Sequence, residues 1–128
     1  MHANEDQLAI EMEVGEIVTR GEDWGGQLVR HLTLPPGADF RPLLAGLPGD
    51  VCDCPHWGYV ISGRMSYVTD DGEHVVEAGD AFYLPPGHIP KVTAGTELVQ
   101  FSPTEPLEQV SRHMAEAAKR MQGAGAPG

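Results

Sequence analysis

The sequence predicts an all-β domain of short antiparallel strands closed into a barrel or sandwich, followed by a C-terminal helix. Two observations carry the strands. Gly and Pro, 16 and 11 of the 128 residues, cut the chain into short pieces, and those pieces show apolar and polar residues in alternation. A third carries the helix: beyond residue 103 the apolar spacing changes from two to three and four.

Residues 11–20 read as a strand pair broken at Gly15. In 25–34, Leu28, Arg30, Leu32 and Leu34 share one face and Val29, His31 and Thr33 the other, and Pro35-Pro36-Gly37 ends the strand. Residues 40–47 lead into the loop Gly46-Leu47-Pro48-Gly49-Asp50. Residues 57–62 are rich in β-favouring side chains and stop at Gly63. Residues 64–69 pair with 73–77 across Asp70-Asp71-Gly72, a hairpin signal. Strands at 81–84, 91–93 and 97–102 follow, punctuated by Pro85-Pro86-Gly87 and Ala94-Gly95-Thr96. Roughly eight to ten strands need closure to protect their edges.

From Thr104, the residues Leu107, Val110, Met114, Ala117 and Met121 form one apolar stripe. Thr104 or Ser102 is the expected cap, with Pro106 tolerated in the first turn. The expected organisation is a barrel over 1–103, a helix over 104–122 and a flexible tail over 123–128. The helix either docks on its own barrel or forms a seam between two copies; the two heptads available are short for a coiled coil.

One domain is the expectation for a chain of this length. Eight Lys and Arg against nineteen Asp and Glu give a formal charge of −11. Such a surface repels phosphate backbones and anionic lipid, which argues against nucleic-acid and membrane partners. No apolar run is long enough to span a bilayer, and the start, Met1-His2-Ala3-Asn4-Glu5-Asp6, is unlike a signal peptide. A cytoplasmic protein is expected. Its two cysteines, Cys52 and Cys54, are one residue apart, too close for an unstrained disulfide.

The chemistry concentrates in Cys52-Asp53-Cys54-Pro55-His56-Trp57-Gly58-Tyr59. Along an extended chain, side chains at i, i+2 and i+4 point the same way, so Cys52, Cys54 and His56 can converge on a metal ion. His88, in the turn Pro85-Pro86-Gly87-His88-Ile89-Pro90 stiffened by two prolines, is a fourth candidate. Thiolate with imidazole suits Zn first and Fe second. The alternative is that the cysteines are small buried hydrophobes and the histidines cap turns. His2, His31, His74 and His113 read as surface or core residues. Trp57, Tyr59, Met65, Tyr67, Tyr83 and Phe101 lie on nearby strands and are candidates to line a ligand pocket, or else plain core.

The stretch 52–90 resembles the two motifs of the cupin superfamily. Gly79, Pro85 and Gly87 fit the second motif at its spacing, and Gly63 fits the closing glycine of the first. The resemblance implies a cupin-type antiparallel β-barrel (jelly roll), and a homodimer. Counting back from Gly63, the family's Glu falls on His56, its second His on Cys52 and its first on Asp50. Counting forward from Gly87, its last His falls on Pro90, with His88 two places early, and its Asn on Ala94. What remains resembles a subgroup of small bacterial single-domain cupins with a Cys-x-Cys-Pro-His-Trp-Gly-Tyr segment and a Pro-Pro-Gly-His turn. That implies a rewired site using thiolates.

The ligand count separates the functions. Four protein ligands would close a zinc shell, suiting a module that binds or senses a small organic molecule. Three would leave a position open, suiting an isomerase, cyclase or hydrolase, or an iron dioxygenase. Asp50 or Asp53 would be a general base in that case, or a solvated loop residue. A metal-free ligand-binding barrel is the third reading.

Overall fold

The computed structural model describes residues 1–125. Nine strands and two α-helices follow in the order β1 (Ala9–Val14), β2 (Ile17–Trp24), β3 (Gln27–Leu34), α1 (Arg41–Leu44), β4 (His56–Ser62), β5 (Arg64–Thr69), β6 (Gly72–Glu77), β7 (Ala81–Leu84), β8 (Ile89–Val92), β9 (Thr96–Pro103) and α2 (Thr104–Gly125). The larger sheet has the order β1-β2-β3-β9-β4-β7 and the smaller one β6-β5-β8. Every pairing is antiparallel. This is a jelly-roll barrel with a C-terminal helix.

Strand boundaries follow the alternation in the sequence. In β3, Leu28, Arg30, Leu32 and Leu34 are all buried and face inward. In β9, Thr96, Leu98, Gln100 and Ser102 do the same. In β4 the inward set begins with His56 and includes Val60. Within residues 40–47, Arg41–Leu44 form the short helix α1, whose Leu43 and Leu44 are almost fully buried. Each such leucine contributes about 1.5–3 kcal/mol by leaving water.

Gly63, between β4 and β5, has φ +88°, and a Cβ there would run into the Gly95 carbonyl oxygen and the Thr96 backbone. Only glycine allows both the left-handed turn and that approach.

Helix α2 lies on its own barrel: Leu107, Val110, Ala117 and Ala118 are buried, whereas Met121 at its far end is exposed. It reaches Gly125 rather than ending at 122; residues 126–128 of the expected tail lie outside the described residues. Thr104 does not cap it by accepting a backbone N–H. Its hydroxyl donates to the Asp23 carboxylate, while its own N–H donates to the Gly26 carbonyl at 3.1 Å. The β2–β3 turn thus anchors the helix. No described helix is long and apolar enough to cross a membrane.

Candidate metal centre

Three donors meet inside the barrel. Cys52, His56 and His88 are all buried, and their ligand atoms lie within 4.8 Å of one another. Two segments supply them. Cys52 and His88 face each other through an isolated bridge, in which the Cys52 N–H donates to the His88 carbonyl at 3.0 Å and the Gly87 N–H to the Cys52 carbonyl at 2.8 Å. His56 opens β4 four residues on, with its Nε2 3.5 Å from the Cys52 Sγ. A tetrahedral ion with sulfur at about 2.3 Å and imidazole nitrogen at about 2.0 Å sets those donors about 3.5 Å apart.

Both rings are held from behind. His56 Nδ1 is hydrogen-bonded to the Ser102 hydroxyl at 2.5 Å, and His88 Nδ1 donates to the Pro85 carbonyl at 2.9 Å. Each leaves Nε2 as the free face, the arrangement by which outer partners orient metal-binding imidazoles. The rings pack edge to face, 4.7 Å between centroids, and Tyr67 sits edge-on to His88.

Burial sets the charge states. It lowers the pKa of His56, and neighbouring His88 and Arg30 lower it further. Burial also lowers that of His88. Both imidazoles are therefore neutral near pH 7, the form that ligates. Burial raises the Cys52 thiol, with Arg30 pulling the other way. The chemistry of this donor set, one thiol and two neutral imidazoles, fits a zinc-type or iron ion.

The donors open onto a small cavity between the sheets, about 60 Å³. Leu32, Met65, Tyr67 and Leu98 form apolar walls, and Leu107 and Met114 of α2 cover one side. Thr19, Arg30 and Gln100 are polar members of the same lining.

A family model described as a cupin domain matches residues 53–97. Among solved structures, an RmlC-like cupin from Shewanella frigidimarina superposes with a TM-score of 0.60 at 20% identity, covering 80% of this chain and 90% of that one. The chain has the cupin fold and carries a cupin-domain match over the central stretch 53–97. The polyketide cyclase RemF from Streptomyces resistomycificus gives a TM-score of 0.59 at 16% identity, with 82% and 80% covered. An oxalate decarboxylase variant from Bacillus subtilis gives 0.55 at 19% identity, with 77% of this chain covered but 28% of that one. No curated protein sequence matches the chain.

The structure brings together three of the four expected donors. Cys54 is fully buried but stands apart from the cluster, with its thiol directed to the Pro55 carbonyl at 3.5 Å. The chain bends at Cys54, so residues 52–56 are not one extended run and the i, i+2, i+4 argument fails there. Burial and the nearby Cys52 push the Cys54 thiol up to about 12. Asp50 and Asp53 are both exposed, as solvated loop residues are, and Asp50 accepts the Gly46 N–H at 2.9 Å.

The aromatic pocket residues divide. Met65 and Tyr67 line the cavity. Trp57, Tyr59, Tyr83 and Phe101 do not; they are 46%, 47%, 54% and 40% exposed on the outer face of the larger sheet. The reason is parity: His56 points inward, so Trp57 and Tyr59, one and three residues on, point outward. Residues not singled out from the sequence complete the interior, above all Arg30, Gln100 and Ser102. Their shared parity with Leu28, Leu32, Leu34 and Leu98 was the available signal. Of the other histidines, His31 is buried beside Glu5 and Glu97, and His113 Nε2 lies 2.7 Å from the Ala45 carbonyl.

Proposed function

We propose that this cupin-fold protein binds one divalent zinc-type ion through Cys52, His56 and His88 and takes a small organic molecule beside it in the barrel. The observation that carries this reading is the set of three buried donors, two with anchored rings, facing one cavity. Three protein ligands leave a coordination position free, which favours a metal-dependent isomerase, cyclase or hydrolase over a closed structural zinc site. When bound, the ion would supply Lewis acidity to a carbonyl or lower the pKa of a water. Ser102 and the Pro85 carbonyl keep the two rings aimed. The apolar walls of Leu32, Met65 and Leu98 exclude bulk water and hold the organic part of the ligand.

Iron in place of zinc is the second reading, favoured by the single thiol: one sulfur donor rather than two leaves less to oxidise beside an oxygen-binding metal. A thiol-dependent centre suits a reducing compartment, and we place the protein in the cytoplasm. The neighbouring cyclase and decarboxylase share the fold at low identity and add nothing on substrate.

Elemental analysis of protein purified without a metal-affinity tag tests the reading. About one zinc per chain, lost in Cys52→Ala, His56→Ala and His88→Ala, is the expected result. A visible spectrum of the cobalt-substituted protein that shifts on adding small anions would report the free position. Absence of any metal, even after reconstitution, would leave a ligand-binding barrel.

A further inference from the structure

One polar row crosses the apolar interior. Arg30 on β3 is paired directly with Gln100 on β9, and both side chains are buried and line the cavity. The Arg30 Nε donates to Glu11 at 3.0 Å, and Glu11 reaches it over Gly21, whose absent Cβ leaves room for the carboxylate. Only Nε is engaged in this way; among the described residues the two terminal NH₂ groups of Arg30 make no hydrogen bond. Next to this row, on β2, the Thr19 hydroxyl is buried with no hydrogen-bond partner among the described residues. An unpaired buried hydroxyl such as that of Thr19 costs about 1–3 kcal/mol and marks a place where something else supplies the partner.

We propose that the cavity is built for a small organic monocarboxylate, its acid end held by Arg30, Thr19 and Gln100. The guanidinium presents a planar fork matched to a carboxylate, and the hydroxyl and amide donate alongside it. Charge selects the class. Arg30 and Glu11 cancel each other. The inference rests on the metal reading above for the rest: a divalent ion and the Cys52 thiolate leave one positive charge, which one carboxylate neutralises and a dianion would exceed. The apolar walls suit the rest of such a molecule and offer nothing to a polyol.

The test is calorimetric titration of the zinc-loaded protein with acetate, propanoate and pyruvate against acetamide, propanamide and pyruvamide. Acids should bind at least tenfold tighter than the matching amides. Thr19→Val and Gln100→Leu should each weaken acid binding several-fold. The paired change Glu11→Gln with Arg30→Gln, which leaves no lone buried charge, should abolish the preference for acids while zinc stays at one per chain. Equal binding of acids and amides, or a preference that survives the paired change, overturns the inference and leaves the metal reading standing. If the protein holds no metal, the same titration of the metal-free protein decides. A preference lost in the paired variant sustains the carboxylate site although the metal reading has failed, and no preference overturns it.

Discussion

His56 Nδ1 and Ser102 Oγ lie 2.5 Å apart, and this contact between β4 and β9 fixes which ring nitrogen faces the cavity. Ser102 is fully buried, so bulk solvent does not reach the contact. Ser102→Ala should therefore lower zinc affinity by about 10–100-fold without unfolding the barrel. Competition with a chromophoric chelator measures this; affinity equal to wild type would mean the hydroxyl does not position the ring.

Cys54 provides the sharpest contrast among the candidate ligands. Cys54→Ala should keep one zinc per chain and cost roughly 1 kcal/mol of stability, the scale of a small core truncation. Cys52→Ala should lose the metal. Equal loss from both would show that the bend at Cys54 straightens when the ion binds.

Trp57 pairs in register with Tyr83 on one side and Phe101 on the other, forming an exposed aromatic row across three strands. Tyr59 and Ile61 extend it along β4, and both are exposed. Apolar surface of this breadth marks association sites, and we expect two copies to pair here as a homodimer. Sedimentation of wild type against Trp57→Glu should show a dimer becoming a monomer; identical masses would point to another surface or none.

Asp23 links helix α2 to the β2–β3 turn. Hydrogen bonds from Thr104 and the Gly26 N–H lower its pKa below the ordinary 3.8. The folded carboxylate keeps its charge at a pH where the unfolded one has taken up a proton. Its stabilising effect is thus present above pH 3.8 and lost as pH falls through the lowered folded value. Thermal melts of Asp23→Ala and wild type should differ at pH 6 and converge as pH falls well below 3.8. A difference independent of pH would assign the effect to packing.

Helix α2 roofs the cavity with Leu107, which is 2% exposed. Leu107→Ala should cost about 2–5 kcal/mol and loosen ligand binding while sparing the metal. Denaturant melts together with metal analysis check both halves.

Most of the strand plan was legible because Gly, Pro and period-two alternation are local signals. β7 begins and ends where the sequence places it, at 81–84. β8 starts at Ile89 rather than 91, because the pairing of Ile89 with Val68 and Pro90 with Tyr67 overrides proline's poor strand preference at an edge. At the centre, counting back from Gly63 reached His56, Cys52 and Asp50, and the structure brings the first two together with His88 while Asp50 stays exposed in its loop. The spacing argument added Cys54, since a bend between two ligands leaves no trace in residue types. The inward face of β4 was equally hidden: WGYVIS alternates too weakly between apolar and polar to say whether Trp57 or His56 meets the core.

The tight contact of Gly63 with Gly95 has a consequence for how this protein tolerates insertions and deletions. Beyond the single register slip between Val60 and Ser62, the faces of His56 through Val60 are counted from that contact. One residue added between His56 and Gly63 would carry His56 out to solvent and bring an aromatic ring into its place, exchanging the chemical and the adhesive sides of the strand in one step. Two residues would restore the faces but shift His56 along the barrel, away from Cys52 and His88. Insertions should instead be tolerated beyond the reach of that anchor, as at the exposed Asp70-Asp71-Gly72 hairpin tip.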